Sequence, residues 1–159
     1  MTILILQFLR LFEHQTGNVL LMNCVLAVDP GRSKCGVAVV SKSEGVLART
    51  IVPLDALADT AALFKARFNP DAAAVGKGTG GSEALRLLKS LDIPIYVVDE
   101  KHTTAMARSK YFADHPPRGW RRLIPKGLLV PPEPYDDYAA VLIAESCLYS
   151  TENPQQVFG

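Results

Sequence analysis

Apolar positions switch along this chain between short unbroken runs and a recurrence every three or four residues, and each switch of period marks an element. Cys24 to Val28 is an unbroken apolar run, Asp29-Pro-Gly-Arg-Ser punctuates it, and Cys35 to Val40 resumes it, which predicts two strands joined by a tight turn. Ser41 to Gly45 is a second turn cluster and Val46 to Leu54 a third extended segment. Three strands joined by short turns make an antiparallel meander. From Asp55 to Phe68 the apolar residues Leu57, Ala61, Leu63 (or Phe64) and Phe68 recur at helical spacing, and Asn69-Pro70 stops the helix. Asp71 to Val75 reads as a buried strand, Ser82 to Leu91 as a helix with Leu85, Leu87, Leu88 and Leu91 inward, and Ile93 to Val98 as a fifth strand. Thr103 to Ala113 is helical with Thr103 as its N-cap. A connection from His115 to Pro134 holds six of the eleven prolines, and a last helix runs from near Tyr135 to about Ser150. The order βββαβαβα predicts an α/β domain, a mixed five-stranded sheet flanked by helices, over residues 23–150. Residues 1–22 are an N-terminal extension and 151–159 a tail.

The extension is given no role. Ile3 to Phe12 is apolar at helical spacing, but it is too short to span a bilayer and is interrupted by Gln7 and Arg10. It has neither the basic start nor the small-residue cleavage site of a signal peptide. Met22 stands directly before the first strand, so the leader reads as an added extension, an upstream start or a docking helix.

Composition narrows the classes. A chain of 159 residues is one domain's worth, and nothing in the 48% apolar fraction suggests disorder or a membrane protein. Three cysteines, Cys24, Cys35 and Cys147, have no metal-like spacing and read as buried thiols of a reduced, cytoplasmic protein. The net charge of +1 gives no general case for nucleic-acid binding, yet it is unevenly spread. Glu100 to Lys126 carries seven basic side chains (Lys101, Arg108, Lys110, Arg118, Arg121, Arg122, Lys126) against two acidic ones, Glu100 and Asp114. From Leu128 onward there are Glu133, Asp136, Asp137, Glu145 and Glu152 with no Lys or Arg. A basic segment beside an acidic one suits a metal-dependent phosphodiester site, although solvated surface charge is the commoner cause.

The candidate chemistry lies at the ends of elements. Asp29 ends a strand whose other residues are apolar, and a buried carboxylate needs compensation, so it is either a turn Asp facing water or a cation ligand. Asp99-Glu100 closes the fifth strand as Asp29 closes the first. Asp136 and Asp137 fall in the first turn of the last helix, where the helix dipole favours a carboxylate and plain capping is the ordinary explanation. In a sheet of this order, ligands bind beyond the carboxyl ends of the strands. Carboxylates gathered there repel unless a divalent cation neutralises them, and an all-oxygen set suits Mg²⁺ or Mn²⁺.

Three segments then carry a resemblance. DPGxxKxGVAV over Asp29–Val39, VVDExxTT over Val97–Thr104 and DxxAA over Asp136–Ala140 resemble the YqgF family of RuvC-like Holliday-junction resolvases and pre-16S rRNA-processing nucleases. The segments ARxxYFxxxPPRG and RLIPKG look like the version of this family found in cyanobacteria, and the likeness spans about Asn23 to Leu148. It implies an RNase H-like fold and a Mg²⁺- or Mn²⁺-dependent endonuclease acting on an rRNA precursor or branched DNA. It also implies a metal-binding triad of Asp29, Glu100 and Asp136, with Asp137 able to replace its neighbour. Lys34, Lys77, Arg118, Arg121, Arg122 and Lys126 are the candidate phosphate contacts. Val75–Gly81 is shorter than the family's usual glycine- and proline-containing loop. Monomer and homodimer both stay open, and a non-catalytic nucleic-acid-binding or assembly module is the alternative.

Other motifs weigh less. Gly76-Lys-Gly-Thr-Gly-Gly81 is not a Walker A loop, because Lys77 is followed by Gly78 rather than Ser or Thr, and it reads as a strand-to-helix turn. A likeness of the Asp29 turn to the first phosphate loop of actin-like kinases fails for want of a second lobe. His102 and His115 read as structural or solvated, and Trp120 as packing.

Overall fold

The first apolar run is a strand because neither of its faces meets water. In the computed structural model, which describes residues 22–99, 111–124, 136–149 and 155–158, Val25, Leu26, Ala27 and Val28 are all fully buried in β1 (Cys24–Pro30). On one side β1 pairs antiparallel with β2 (Lys34–Ser41), which pairs antiparallel with β3 (Gly45–Pro53). On the other it pairs parallel with β4 (Ala72–Gly76), itself parallel to β5 (Ile95–Val98). The five strands and the meander read from the sequence are all present. A sixth, β6 (Gln155–Phe158), pairs antiparallel with β5, so the sheet order is β3-β2-β1-β4-β5-β6. It lies in the stretch assigned to a tail. Gln-Gln-Val-Phe has no strand period of its own; the open edge of β5 gives it a partner.

Alternation along the strands divides the core in two. Leu26, Val28, Val37, Val39, Ala73 and Val75 face α1 (Leu57–Phe68) and α2 (Gly81–Leu88). In α1 it is Phe64 that packs inward, while Leu63 stays 63% exposed. Asn69 ends that helix in the left-handed conformation (φ 46°), its N–H bonded to the Lys65 carbonyl. Val25, Ala27, Ala38, Val40, Ala72, Ala74, Tyr96 and Val98 face α3 (Asp136–Tyr149).

α3 is apolar all round, and such a helix must be covered on both sides. Ala140, Val141, Ala144, Cys147 and Leu148 lie on the sheet, while Tyr138, Ala139 and Leu142 pack against Tyr111, Phe112 and Ile124. The 111–124 segment is thus the outer cover of α3. Residues 111–114 are helical, as read for the end of that stretch, and Gly119–Leu123 is a 3₁₀ turn. The extension before Met22, Glu100, His102, Thr103, Lys126 and the Trp120 side chain lie outside the described residues.

All three cysteines are free thiols, and burial pushes the Cys147 thiol up to about 11. No described helix is long and apolar enough to cross a membrane.

Candidate functional site

Parallel pairing of β1, β4 and β5 sends their carboxyl ends to one rim, and Asp29, Lys77 and Asp99 stand there or one residue beyond. β2 runs the other way and begins at that rim, so Asp29 pairs with Gly36 across the ladder. Val25 and Ala27 belong to the α3 side of the core, and by the same alternation Asp29 lies on that side, half-buried.

Gly36 determines what else arrives. A Cβ on Gly36 would lie 1.9 Å from the carbonyl oxygen of Asp136 and 2.3 Å from its carbonyl carbon. The first turn of α3 therefore rests backbone to backbone on β2 and brings Asp136 to the strand pair that carries Asp29. Cys35, next to Gly36, feels both acids: burial first, and then the charges of Asp29 and Asp136, push its thiol up against the lowering effect of the Gly31 hydrogen bond.

Asp136, Asp99 and Asp137 each have a cationic neighbour. Lys34 Nζ lies 3.4 Å from Asp136 Oδ2 and Lys77 Nζ 3.8 Å from Asp99 Oδ2, both at exposed positions where an ion pair adds little stability. Asp137 is more fully engaged. Its Oδ2 lies 3.6 Å from Arg49 Nε, and its Oδ1 accepts from the Tyr138 N–H at 3.0 Å.

The glycine-rich loop is a strand-to-helix turn, as read. A Cβ on Gly78 would sit 2.5 Å from the Pro30 carbonyl oxygen and one on Gly80 2.4 Å from that of Gly31. The loop's glycines let it lie against the Asp29-Pro30-Gly31 turn, which places Lys77 at the rim.

The structure thus brings Asp29, Lys34, Asp136 and Asp137 together, with Lys77 and Asp99 along the same rim. Glu100 and Lys126 are not described, and among the described residues no three His, Cys, Asp or Glu side chains form a metal-binding group. Arg118, Arg121 and Arg122 lie on or beside the 3₁₀ turn, with Arg118 and Arg122 exposed and Arg121 half-buried. That turn is pinned through Ile124 to the cluster containing Tyr138, two residues beyond Asp136.

Solved structures of similar topology include RuvC. Thermus thermophilus RuvC matches with a TM-score of 0.52 at 20% identity, covering 83% of this chain and 99% of its own. T. thermophilus RuvC in complex with a Holliday-junction substrate matches with a TM-score of 0.56 at 16% identity, covering 85% and 99%. The chain has the RuvC fold. No protein-family model matches it, and no curated protein sequence is significantly similar. At such identities the likeness to RuvC carries the fold and no residue roles.

Sequence reading passed over two residues of this RuvC-fold site. Gly36 is a lone glycine inside a strand run, which signals close backbone approach. Arg49 gave no signal, because its partners Asp114, Asp137 and Tyr138 are remote in sequence.

Proposed function

We propose that this protein is a metal-dependent endonuclease that hydrolyses phosphodiester bonds in structured nucleic acid, with branched DNA or an rRNA precursor as substrate. The observation that carries the reading is the seating of Asp136 over Gly36, at the strand pair that ends in Asp29, on the ligand-binding rim of a RuvC fold. Asp29 and Asp136 are hard oxygen donors, a set that suits Mg²⁺ or Mn²⁺, and Glu100 completes the proposed triad. Such an ion, when bound, supplies activation of a water and shielding of the leaving oxygen.

Asp136 rather than Asp137 is the third carboxylate in this reading, because both oxygens of Asp137 are engaged within the protein. Lys34 and Lys77 approach substrate phosphates from the rim, Arg118, Arg121 and Arg122 extend the phosphate track along the outer cover of α3, and Lys126 is a further candidate contact from the sequence.

The direct test offers purified protein a four-way DNA junction and a pre-16S rRNA end, side by side, with and without Mg²⁺. Mg²⁺-dependent cleavage of either is expected, and the preferred one names the substrate. Tight binding with no cleavage and no calorimetric Mg²⁺ binding would instead favour the non-catalytic module.

The basic segment has its own expectation. Replacing Arg118, Arg121 and Arg122 together by Ala should weaken binding and flatten its salt dependence, since each lost phosphate contact lowers the slope by about one. Metal affinity should stay at the parental value. A salt slope equal to the parent's would show that these arginines face away from the substrate.

A further inference from the structure

Two residues along β3 from the row that carries Asp29 and Gly36 lies Arg49, opposite Ala38 of β2, on the face that receives α3. Its side chain is 33% exposed, on the edge strand of the sheet, and each guanidinium nitrogen has a partner. Nη2 donates to the Tyr138 hydroxyl at 2.8 Å, Nε lies 3.6 Å from Asp137 Oδ2, Nη1 lies 3.8 Å from Asp114 Oδ2, and the guanidinium carbon stands 3.8 Å over the centre of the Tyr138 ring. Tyr138 in turn donates its hydroxyl proton to Asp114 Oδ2 at 3.0 Å. His115, stacked on Tyr111 at 4.7 Å, comes within 3.4 Å of the same hydroxyl.

The partners are what give this cluster its meaning. Asp137 and Tyr138 are the two residues that follow Asp136, whereas Asp114 belongs to the segment that leads into the arginine-bearing turn. One planar side chain therefore holds the first turn of α3 from the sheet side and ties it to the outer cover. A lysine, with a single point charge, has no fork to reach three such partners at once.

We propose that Arg49 is a positioning residue for the metal site: by gripping Asp137 and Tyr138 it fixes the direction in which the Asp136 carboxylate faces Asp29. This rests on the functional reading given above, with Asp136 as a ligand. In this role Arg49 acts through the helix start that it anchors and not on the reacting atoms. It also keeps Asp137 out of the ligand set, which leaves Asp136, beside Lys34, as the carboxylate of the pair at the rim.

The test uses the full chain with Arg49→Met, Arg49→Lys and Tyr138→Phe, reading Mg²⁺ affinity by calorimetry, and kcat and KM on a four-way junction or pre-16S rRNA end, whichever the parent cleaves. Arg49→Met is expected to weaken Mg²⁺ binding about tenfold or more, as losing the support of a ligand typically does. It should lower kcat with KM for nucleic acid near the parental value. Arg49→Lys should not rescue it. Tyr138→Phe, which keeps the ring beneath the guanidinium and removes only the hydroxyl, should show a several-fold loss in the same direction. A folded Arg49→Met protein with parental Mg²⁺ affinity overturns the proposal and leaves Arg49 as a structural clamp. Should Arg49→Met not fold, Tyr138→Phe decides, and parental affinity there overturns it equally. If the parent itself binds no Mg²⁺, the functional reading falls and the positioning role with it.

Discussion

Asp29→Asn should cut cleavage by more than about 100-fold, since even residues that merely support metal ligands are worth about 10- to 100-fold. Nucleic-acid binding should stay intact or tighten. The amide has the carboxylate's shape, so the strand end and its pairing with Gly36 are preserved. What is lost is one negative charge from a rim where Asp136 is seated over that same Gly36. Removing that charge weakens the hold on a cation and lessens repulsion of phosphates, and the two effects have opposite signs on chemistry and binding. Single-turnover cleavage measured beside equilibrium binding separates them. Undiminished Mg²⁺-dependent cleavage by this variant would remove Asp29 from the chemistry.

Gly36→Ala is expected to damage stability and activity together. The new methyl would lie 1.9 Å from the Asp136 oxygen, 2.3 Å from its carbon and 2.8 Å from the Asp137 nitrogen, all of them backbone atoms that no rotamer change can move. Overpacking typically costs about 1–3 kcal/mol, and a rigid obstacle places this substitution at the upper end. Relief requires α3 to lift from β2, which carries Asp136 away from Asp29. Gly45→Ala is the matched control: Gly45 has φ 77° and nothing within 4 Å of a built Cβ. It should lose about 1–2 kcal/mol through left-handed backbone strain and keep its activity. Thermal melts and cleavage rates on both variants check the contrast, and a fully active Gly36→Ala protein would mean that α3 does not need this seat.

Much of the fold was legible because most of its strands are buried on both faces, and double burial writes itself as unbroken apolar runs such as Val25–Val28 and Ala72–Val75. The site was legible in part for a related reason: Asp29 and Asp136 stand out as polar residues where a strand ends and an apolar helix begins. β6 was not, since its reason for being extended is the edge of β5 and lies outside its own residues. Leu63 against Phe64 was legible by period once the angles are followed: at about 100° per residue Ala61, Phe64 and Phe68 stay within about 40° of Leu57 while Leu63 turns about 120° away, and the core takes Phe64. Arg49 was invisible for the same reason as β6. Its contacts are with three side chains from elsewhere in the chain, and no local pattern encodes a meeting of that kind.

The place of β1 at the middle of the sheet and of α3 across it has a consequence for a protein made from its N-terminus. β1 to β5 emerge from the ribosome well before α3, so the nascent sheet can assemble while the face formed by Val25, Ala27, Ala38 and Ala74 is still bare. Throughout that interval the rim holds Asp29 but not Asp136. Asp136 reaches the rim only when α3 docks, and that docking also closes the core. A chain arrested before α3 would expose that apolar face, and the proposed site gains its second carboxylate only as the core is sealed.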